Sequence, residues 1–269
     1  MKDKRILYVS SEVVPYLPET EISSMSFEAP KMVNKQGGQI RIFMPRFGNI
    51  NERRHQLHEV IRLSGINLVI NDLDMPLIIK VASIPKERIQ VYFIDNEDYF
   101  KRKATLTDED GSLYPDNDER AIFFAKGVVE TVKKLNWSPD IIHVNGWLAA
   151  LLPLYLKAYF KGEPLFSESK IVTSVYNQTF EGTLNTNMID KIKFDNIAEE
   201  HIKVLSTPNF VNLMKVAIDH SDAIIQGSSE LPSELMDYMK ASEKPLLDYY
   251  SLEEFAEPFT EFYKTKVLQ

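Results

Sequence analysis

Short runs of aliphatic and β-branched residues alternate along the chain with longer stretches whose apolar positions recur at helical spacing. Arg5–Ser10 (RILYVS) predicts a first strand. Ser26–Lys35 predicts a helix, with Pro30 a weak point near its start and Gly37-Gly38 its stop. Gln39–Met44 predicts a second strand. Ile66–Ile70, Leu77–Ala82 and Ile89–Ile94 follow as strands with no helical stretch between them. Residues 101–119 are polar and carry Pro and Gly, so they predict a loop. Ala121–Leu135 predicts a helix, Ile141–Val144 a short buried strand, and Trp147–Tyr159, apolar nearly all round, a buried helix. Ile171–Val175 predicts a strand, Phe210–His220 a helix, Asp222–Gln226 a strand and Ser229–Lys240 a helix. Residues 245–269 interleave acidic and aromatic positions and predict one or two helices.

Strands separated by helices of about ten to fifteen residues imply parallel crossover units. The predicted central strands are apolar throughout, as strands are when helices cover both faces. The expected fold is therefore α/β: a Rossmann-like, doubly wound, mainly parallel sheet. The strand-on-strand region Ile66–Ile94 predicts an antiparallel excursion at one edge. Residues 1–244 are expected to form one domain, with 245–269 a helical tail packing on it. Sheets of this kind take ligands beyond the carboxyl ends of their strands. Here those ends are Ser10–Tyr16, Pro45–Gly48, Val144–Trp147, Tyr176–Gly182 and Gln226–Ser229.

Composition narrows the partners. The chain has 269 residues, 44% hydrophobic and 26% charged, with a net charge of −8. That balance supports a core of normal size and argues against nucleic acid or an anionic membrane as partner, since both need a basic face. No stretch approaches the roughly 20 apolar residues of a membrane span. The N-terminal apolar run, Ile6–Val9, is cut off by Glu12 and is too short for a signal peptide. A cytoplasmic protein is expected. With no cysteine, thiolate metal sites, disulfides and cysteine nucleophiles are excluded.

The common chemical motifs are missing. No G-x-G-x-x-G follows the first strand, and no G-x-x-x-x-G-K-[ST], H-E-x-x-H or G-x-S-x-G occurs. No cofactor and no metal site is expected. His55 and His58 read as a surface pair, and Asn177-Gln178-Thr179 as a glycosylation sequon without meaning in a cytosolic chain.

Six stretches, in order, carry a resemblance: KRILYVSSEVVPY at the start, MPRFG at 44–48, VYFIDNEDYFKR at 91–102 with YPDNDERAIFF at 114–124, PDIIHVNGWLAALLPLYLK at 139–157, VYNQTFEG at 175–182 and NLMKVAIDHSDAIIQGSSE at 212–230. Together they resemble the N-terminal half of the glycogen and starch synthases of glycosyltransferase family five, over residues 4 to about 240. The resemblance implies one half of a two-domain glycosyltransferase-B fold, with the active site in the cleft between two Rossmann-like domains. In that family the second domain holds most of the sugar-nucleotide donor. The expectation is that this chain ends where that domain should begin, since its last ~30 residues are too few for another Rossmann-like domain.

Several family motifs are altered. Where the family carries K-x-G-G-L-G, whose lysine and glycines contact the donor phosphates, this chain has LPETEISSMS at 17–26, with no Lys or Gly and with Glu19 and Glu21. The family's H-[DC]-W-H becomes Asn145-Gly146-Trp147-Leu148. Its H-N-x-x-[YF]-Q-G becomes Tyr176-Asn177-Gln178-Thr179-Phe180-Glu181-Gly182. Pro15, Arg46, Gly48, Asn117, Arg120, Trp147, Asn177, Gly182, Asn212 and Lys215 persist and read as framework, with Asn117 and Arg120 orienting the 101–119 loop. No residue is assigned a catalytic role. The candidate cleft residues are Glu12, Tyr16, Asn145, Trp147, Tyr176, Asn177 and Glu181.

Three readings follow. The favoured one is a non-catalytic binding or regulatory protein on a half-fold, meeting a sugar nucleotide or α-glucan weakly if at all. The second is a glucosyltransferase subunit completed by a separate donor-domain chain. The third is a different enzyme using Glu12, Glu19 and Glu181. The cleft face is expected to leave Val13, Val14, Tyr16, Leu17, Trp147, Leu148, Tyr176 and Phe180 open. Such a patch needs covering, by the Tyr249–Val267 tail and by a homodimer or protein partner.

Overall fold

The computed structural model describes every residue from Met1 to Gln269. Chain order runs β1 (Arg5–Ser10), α1 (Glu21–Lys35), β2 (Gln39–Pro45), β3 (His58–Glu59), β4 (Ile66–Ile70), β5 (Leu73–Ser83), β6 (Gln90–Asp95), α2 (Glu97–Phe100) and α3 (Asn117–Leu135). It continues through β7 (Ile141–Asn145), α4 (Leu152–Lys157), β8 (Lys170–Val175), α5 (Met188–Phe194), α6 (Phe210–Asp219), β9 (Ala223–Gln226), α7 (Ser233–Ala241), β10 (Leu246–Leu247) and α8 (Ala256–Phe262), which runs on into a π-turn at Tyr263–Val267.

The strands form one ten-stranded sheet in the order β10-β9-β8-β7-β1-β2-β6-β5-β3, with β4 paired to β5 off this path. Every pairing from β10 to β6 is parallel, while β5 is antiparallel to β6, β3 and β4. The doubly wound, mainly parallel sheet and its antiparallel edge are as the hydrophobic pattern predicts. Burial follows the pairing. β7 is buried along its whole length, whereas β5 alternates buried and exposed positions, as a strand packed on one face does.

β5 begins at Leu73 rather than Leu77, and four further element boundaries differ from the sequence reading for a local reason. Helix α1 starts at Glu21, not Ser26. Thr20 caps it by accepting from the Ser23 N–H at 3.0 Å, while Ser23 Oγ accepts from the Thr20 N–H at 2.7 Å. This is a capping box with Ser in place of the usual Glu or Gln, so its sequence signature is weak. Helix α3 begins at Asn117, its polar first turn held inside by pairs such as Lys191–Asp118 at 2.7 Å. The expected Trp147–Tyr159 helix is broken into a 3₁₀ turn at Trp147–Ala149 and α4. Pro153 has no N–H to give to Ala149, so one continuous helix cannot form. Helix α7 starts at Ser233 because Pro232, at φ −49° and ψ 131°, sits extended at its cap.

The C-terminal segment is stitched into the domain. β10 extends the sheet beside β9, and α8 packs beside α1 and β10. Phe255, Phe259, Phe262, Tyr263 and Val267 are buried. Tyr263 reaches the middle of the sheet, where its hydroxyl meets His143 Nδ1 at 2.5 Å and the Tyr8 hydroxyl at 3.2 Å. The other ring nitrogen of His143 meets Ser174 Oγ at 2.6 Å. Burial pushes His143 down to about 3, so the ring is neutral, and one nitrogen donates while the other accepts.

Candidate functional site

From β1 the chain passes to β2 on one side, while β7 lies on the other, so the β1/β7 boundary is the point where the strand order reverses. The segments leaving these two strands flank the crevice where doubly wound sheets take ligands. Ser10, the last residue of β1, donates from Oγ to the Glu12 carbonyl at 2.7 Å and meets Ser26 Oγ at 2.7 Å, which fixes the turn to α1.

Glu12 is the centre of a small polar network. Its carboxylate accepts from Thr20 Oγ1 at 2.6 Å and from Gln178 Nε2 at 3.1 Å. The carbonyl of the same Gln178 side chain accepts from the Trp147 N–H at 3.3 Å. Gln178 therefore ties together the loops after β1, β7 and β8. Gly146 makes that approach possible: its φ is 85°, and a Cβ there would stand 2.2 Å from Ser11 Oγ and 3.1 Å from Gln178 Oε1.

A second network closes the N-terminus of α1. The carboxylate of Glu21 accepts from the Ser228 hydroxyl, and Ser228 Oγ accepts from the Asn177 N–H at 2.9 Å. A helix N-terminus attracts anions through its free N–H groups and its dipole. Here the capping box satisfies the Ser23 N–H from within, and Glu19 and Glu21 place two negative charges at the same point. A groove of about 350 Å³ adjoins this end, lined by Glu19, Thr20 and Glu21 on one side and by Tyr249, Tyr250 and Leu252 of the tail on the other.

The candidate residues divide accordingly. Glu12 and Trp147 are joined through Gln178, and Asn177 is exposed beside Ser228. Asn145 is buried at the end of β7, with its side-chain oxygen unpartnered. Trp147 is 3% exposed and packs edge-on to Phe180, with ring centroids 5.2 Å apart. Glu181 is exposed on the loop after β8, and no hydrogen bond or ion pair joins it or Glu19 to Glu12. Tyr176 is 2% exposed, and its ring lies so close to Gly227 that a Cβ there would sit 2.7 Å away. Burial raises its phenol well above the ordinary range. Tyr16 is buried too, packed edge-on against Phe93 at 4.9 Å and His55 at 5.0 Å.

The expected open apolar rim does not exist. Val13, Tyr16, Leu17, Trp147, Leu148 and Tyr176 are all buried within the chain itself, and Val14 and Phe180 are half-buried. The loops after β1 and β8 fold their apolar residues down into the core and turn polar groups outward. No patch of that kind calls for a partner.

Gln178, Thr20 and Ser228 join these networks without a sequence signature, since a lone Gln, Thr or Ser carries no spacing signal. Arg46 and Arg120 are framework. Arg46 is paired with Asp95 at 3.0 Å. Arg120 is fully buried, donating to Asn117 Oδ1 at 2.5 Å and to the Thr105 carbonyl at 2.7 Å, while Asn117 Nδ2 donates to the Leu106 carbonyl at 2.8 Å. Burial lowers Arg120 to about 10. No group of three or more His, Asp or Glu side chains is placed to hold a metal ion. No helix is long and apolar enough to cross a membrane.

Comparison with known proteins supplies the lineage. The family model described as the starch synthase catalytic domain matches residues 5–247. The glycogen synthase of Chlorobium limicola is 35% identical over 233 residues, covering 86% of this chain and 47% of that protein. The glycogen synthase of Pelodictyon phaeoclathratiforme is 34% identical over 234 residues, with the same coverage of 86% and 47%. The chain thus spans about half the length of these relatives. Among solved structures, the catalytic domain of starch synthase IV from Arabidopsis thaliana, bound to ADP and acarbose, superposes with a TM-score of 0.73 at 14% identity, over 93% of this chain and 52% of that one. That likeness shows the fold, half of a glycosyltransferase-B architecture. With the family model matching nearly its whole length, the chain belongs to the starch synthase catalytic domain family.

Proposed function

We propose that this chain is a starch-synthase-type domain that does not bind the donor diphosphate and acts as a non-catalytic binding or regulatory protein in the cytoplasm. The observation that carries this reading is the N-terminus of α1. The resemblance implies that the family's Lys/Gly donor loop corresponds to 17–26, where this chain has a self-capped helix end with Glu19 and Glu21. Glu21 is already engaged by Ser228, and the tail residues Tyr249 and Tyr250 line the same groove. A diphosphate entering that groove meets carboxylates instead of an ammonium. Losing one preorganised electrostatic group costs about 10²–10³ in rate. Here the cation is absent and its charge is reversed, so nothing useful remains even with strong non-additivity.

The test is glucan extension from ADP-glucose or UDP-glucose by the purified chain. No extension above a no-enzyme control is expected. Extension that disappears on Asn177→Ala would overturn the reading.

A second reading, a glucosyltransferase subunit completed by a donor-domain chain, draws on one feature. Asn177, Thr179, Glu181 and Gly182 leave a polar rim exposed after β8. Restoration of extension by an added donor domain would favour it.

A further inference from the structure

On a chain of net charge −8, one groove is lined by cations without a carboxylate. It has a volume of about 580 Å³, and Arg54, His55, Lys86 and Arg88 surround Tyr16 in it. Two turns bring these residues together. The β5–β6 turn is anchored by buried Ile84 and Ile89, the Ile84 N–H donating to the Ile89 carbonyl at 2.9 Å, so that Lys86 and Arg88 stand outside. The turn before β3 is closed by the Leu57 N–H donating to the Glu52 carbonyl at 2.9 Å and the Arg54 N–H donating to Asn51 Oδ1 at 2.9 Å. Since His58 stands opposite Val81 in the antiparallel β3/β5 pair, continuing the register brings Gln56 beside Ser83, and the two turns share one groove.

Three features mark this groove as a site. Its cations are unpaired: Arg54, Lys86 and Arg88 are exposed and make no ion pair, and the neighbouring Glu52 is taken by Lys80 at 2.7 Å and Arg46 at 3.5 Å. Its backbone is held in the left-handed region at non-glycine residues, with φ of 55° at Gln56, 70° at Lys86 and 57° at Arg88. Such conformations persist where the surroundings impose them, and they gather at ligand sites. Its floor is Tyr16, 5% exposed, whose hydroxyl is itself buried and has no partner within the protein.

We propose that this groove binds a phosphate monoester of a small polar molecule. Arg54 and Arg88 offer planar forks to the phosphoryl oxygens, Lys86 adds a point charge, and His55, Gln56, Ser83 and Gln90 provide hydrogen-bonding groups for a hydroxylated remainder. The volume suits a sugar phosphate and falls in the range of small-molecule pockets. The site is separate from the Glu12–Gln178 network and does not depend on the proposed function.

The test is calorimetric titration of the full chain with glucose 6-phosphate, inorganic phosphate and uncharged glucose. The variants are Lys86→Gly with Arg88→Gly, and Arg54→Ala. Glycine accepts the left-handed backbone, so the double variant removes charge without adding strain. Saturable binding of glucose 6-phosphate, none of glucose, and weakening by about tenfold or more in each variant are expected. Equal affinity for inorganic phosphate would support the phosphoryl site and show that the sugar adds nothing. No saturable binding of either phosphate, or binding unchanged in the variants, would overturn the proposal.

Discussion

At the scale of single residues, two positions make sharp demands. Gly146 combines a left-handed φ with a side that faces Ser11 and Gln178. Gly146→Ala adds backbone strain and a clash, and it is expected to destabilise the chain by about 1–3 kcal/mol in urea unfolding. An unchanged midpoint would show that the three loops are not locked together there. His143 makes the other demand. Its folded value of about 3 lies below the ordinary 6.5 because burial disfavours the charged ring. The unfolded chain therefore binds a proton that the folded chain refuses. This contribution to stability is complete above about pH 6.5 and falls by about 1.4 kcal/mol per pH unit as the pH drops from there toward 3. Ring ¹⁵N shifts of His143 should stay those of a neutral imidazole from pH 7.5 to 4.5. A titration near 6.5 would contradict its place in the core.

Most secondary-structure elements were legible because their apolar period matches their burial. β1, β7 and β8 read as continuous apolar runs and are buried strands, and the helices of the crossovers carry a clear period. What the pattern hid was polar chemistry serving structure. The Thr20/Ser23 box, the buried first turn of α3 and the Pro153 break each depend on hydrogen bonds that a hydrophobic pattern does not record. The site was half legible for the same reason. Glu12, Trp147 and Asn177 lie on the segments that leave β1, β7 and β8, while Gln178, which joins three loops, has no signature of its own. Tyr16, Trp147 and Tyr176 lie at strand ends, but aromatic rings at such turns also serve as core, and these three are buried. The C-terminal segment belongs to this scale as well. Tyr263→Phe keeps the ring and removes the hydroxyl shared by His143 and Tyr8, and it is expected to cost about 1–3 kcal/mol. Tyr263→Ala should cost about 3–5 kcal/mol by leaving a cavity under α8. Equal costs would mean that the hydroxyl network, not the packing, holds the tail.

Across the whole molecule, charge is distributed in a way that bears on function. The chain belongs to the starch synthase catalytic domain family, and the β1/β7 crevice is where doubly wound sheets in general take ligands. In this chain the α1 end of that crevice is acidic and self-capped, while an unpaired cationic cluster lies apart from it, in the groove around Tyr16. The measurement that bears most directly on the proposed function is a calorimetric titration with ADP-glucose. It should be run on the chain and on the Lys86→Gly/Arg88→Gly variant, so that phosphate contacts in the basic groove are separated from the crevice. In the variant, no saturable binding is expected at a Kd tighter than about 1 mM. Saturable ADP-glucose binding that survives in the variant and is lost on Asn177→Ala would contradict it.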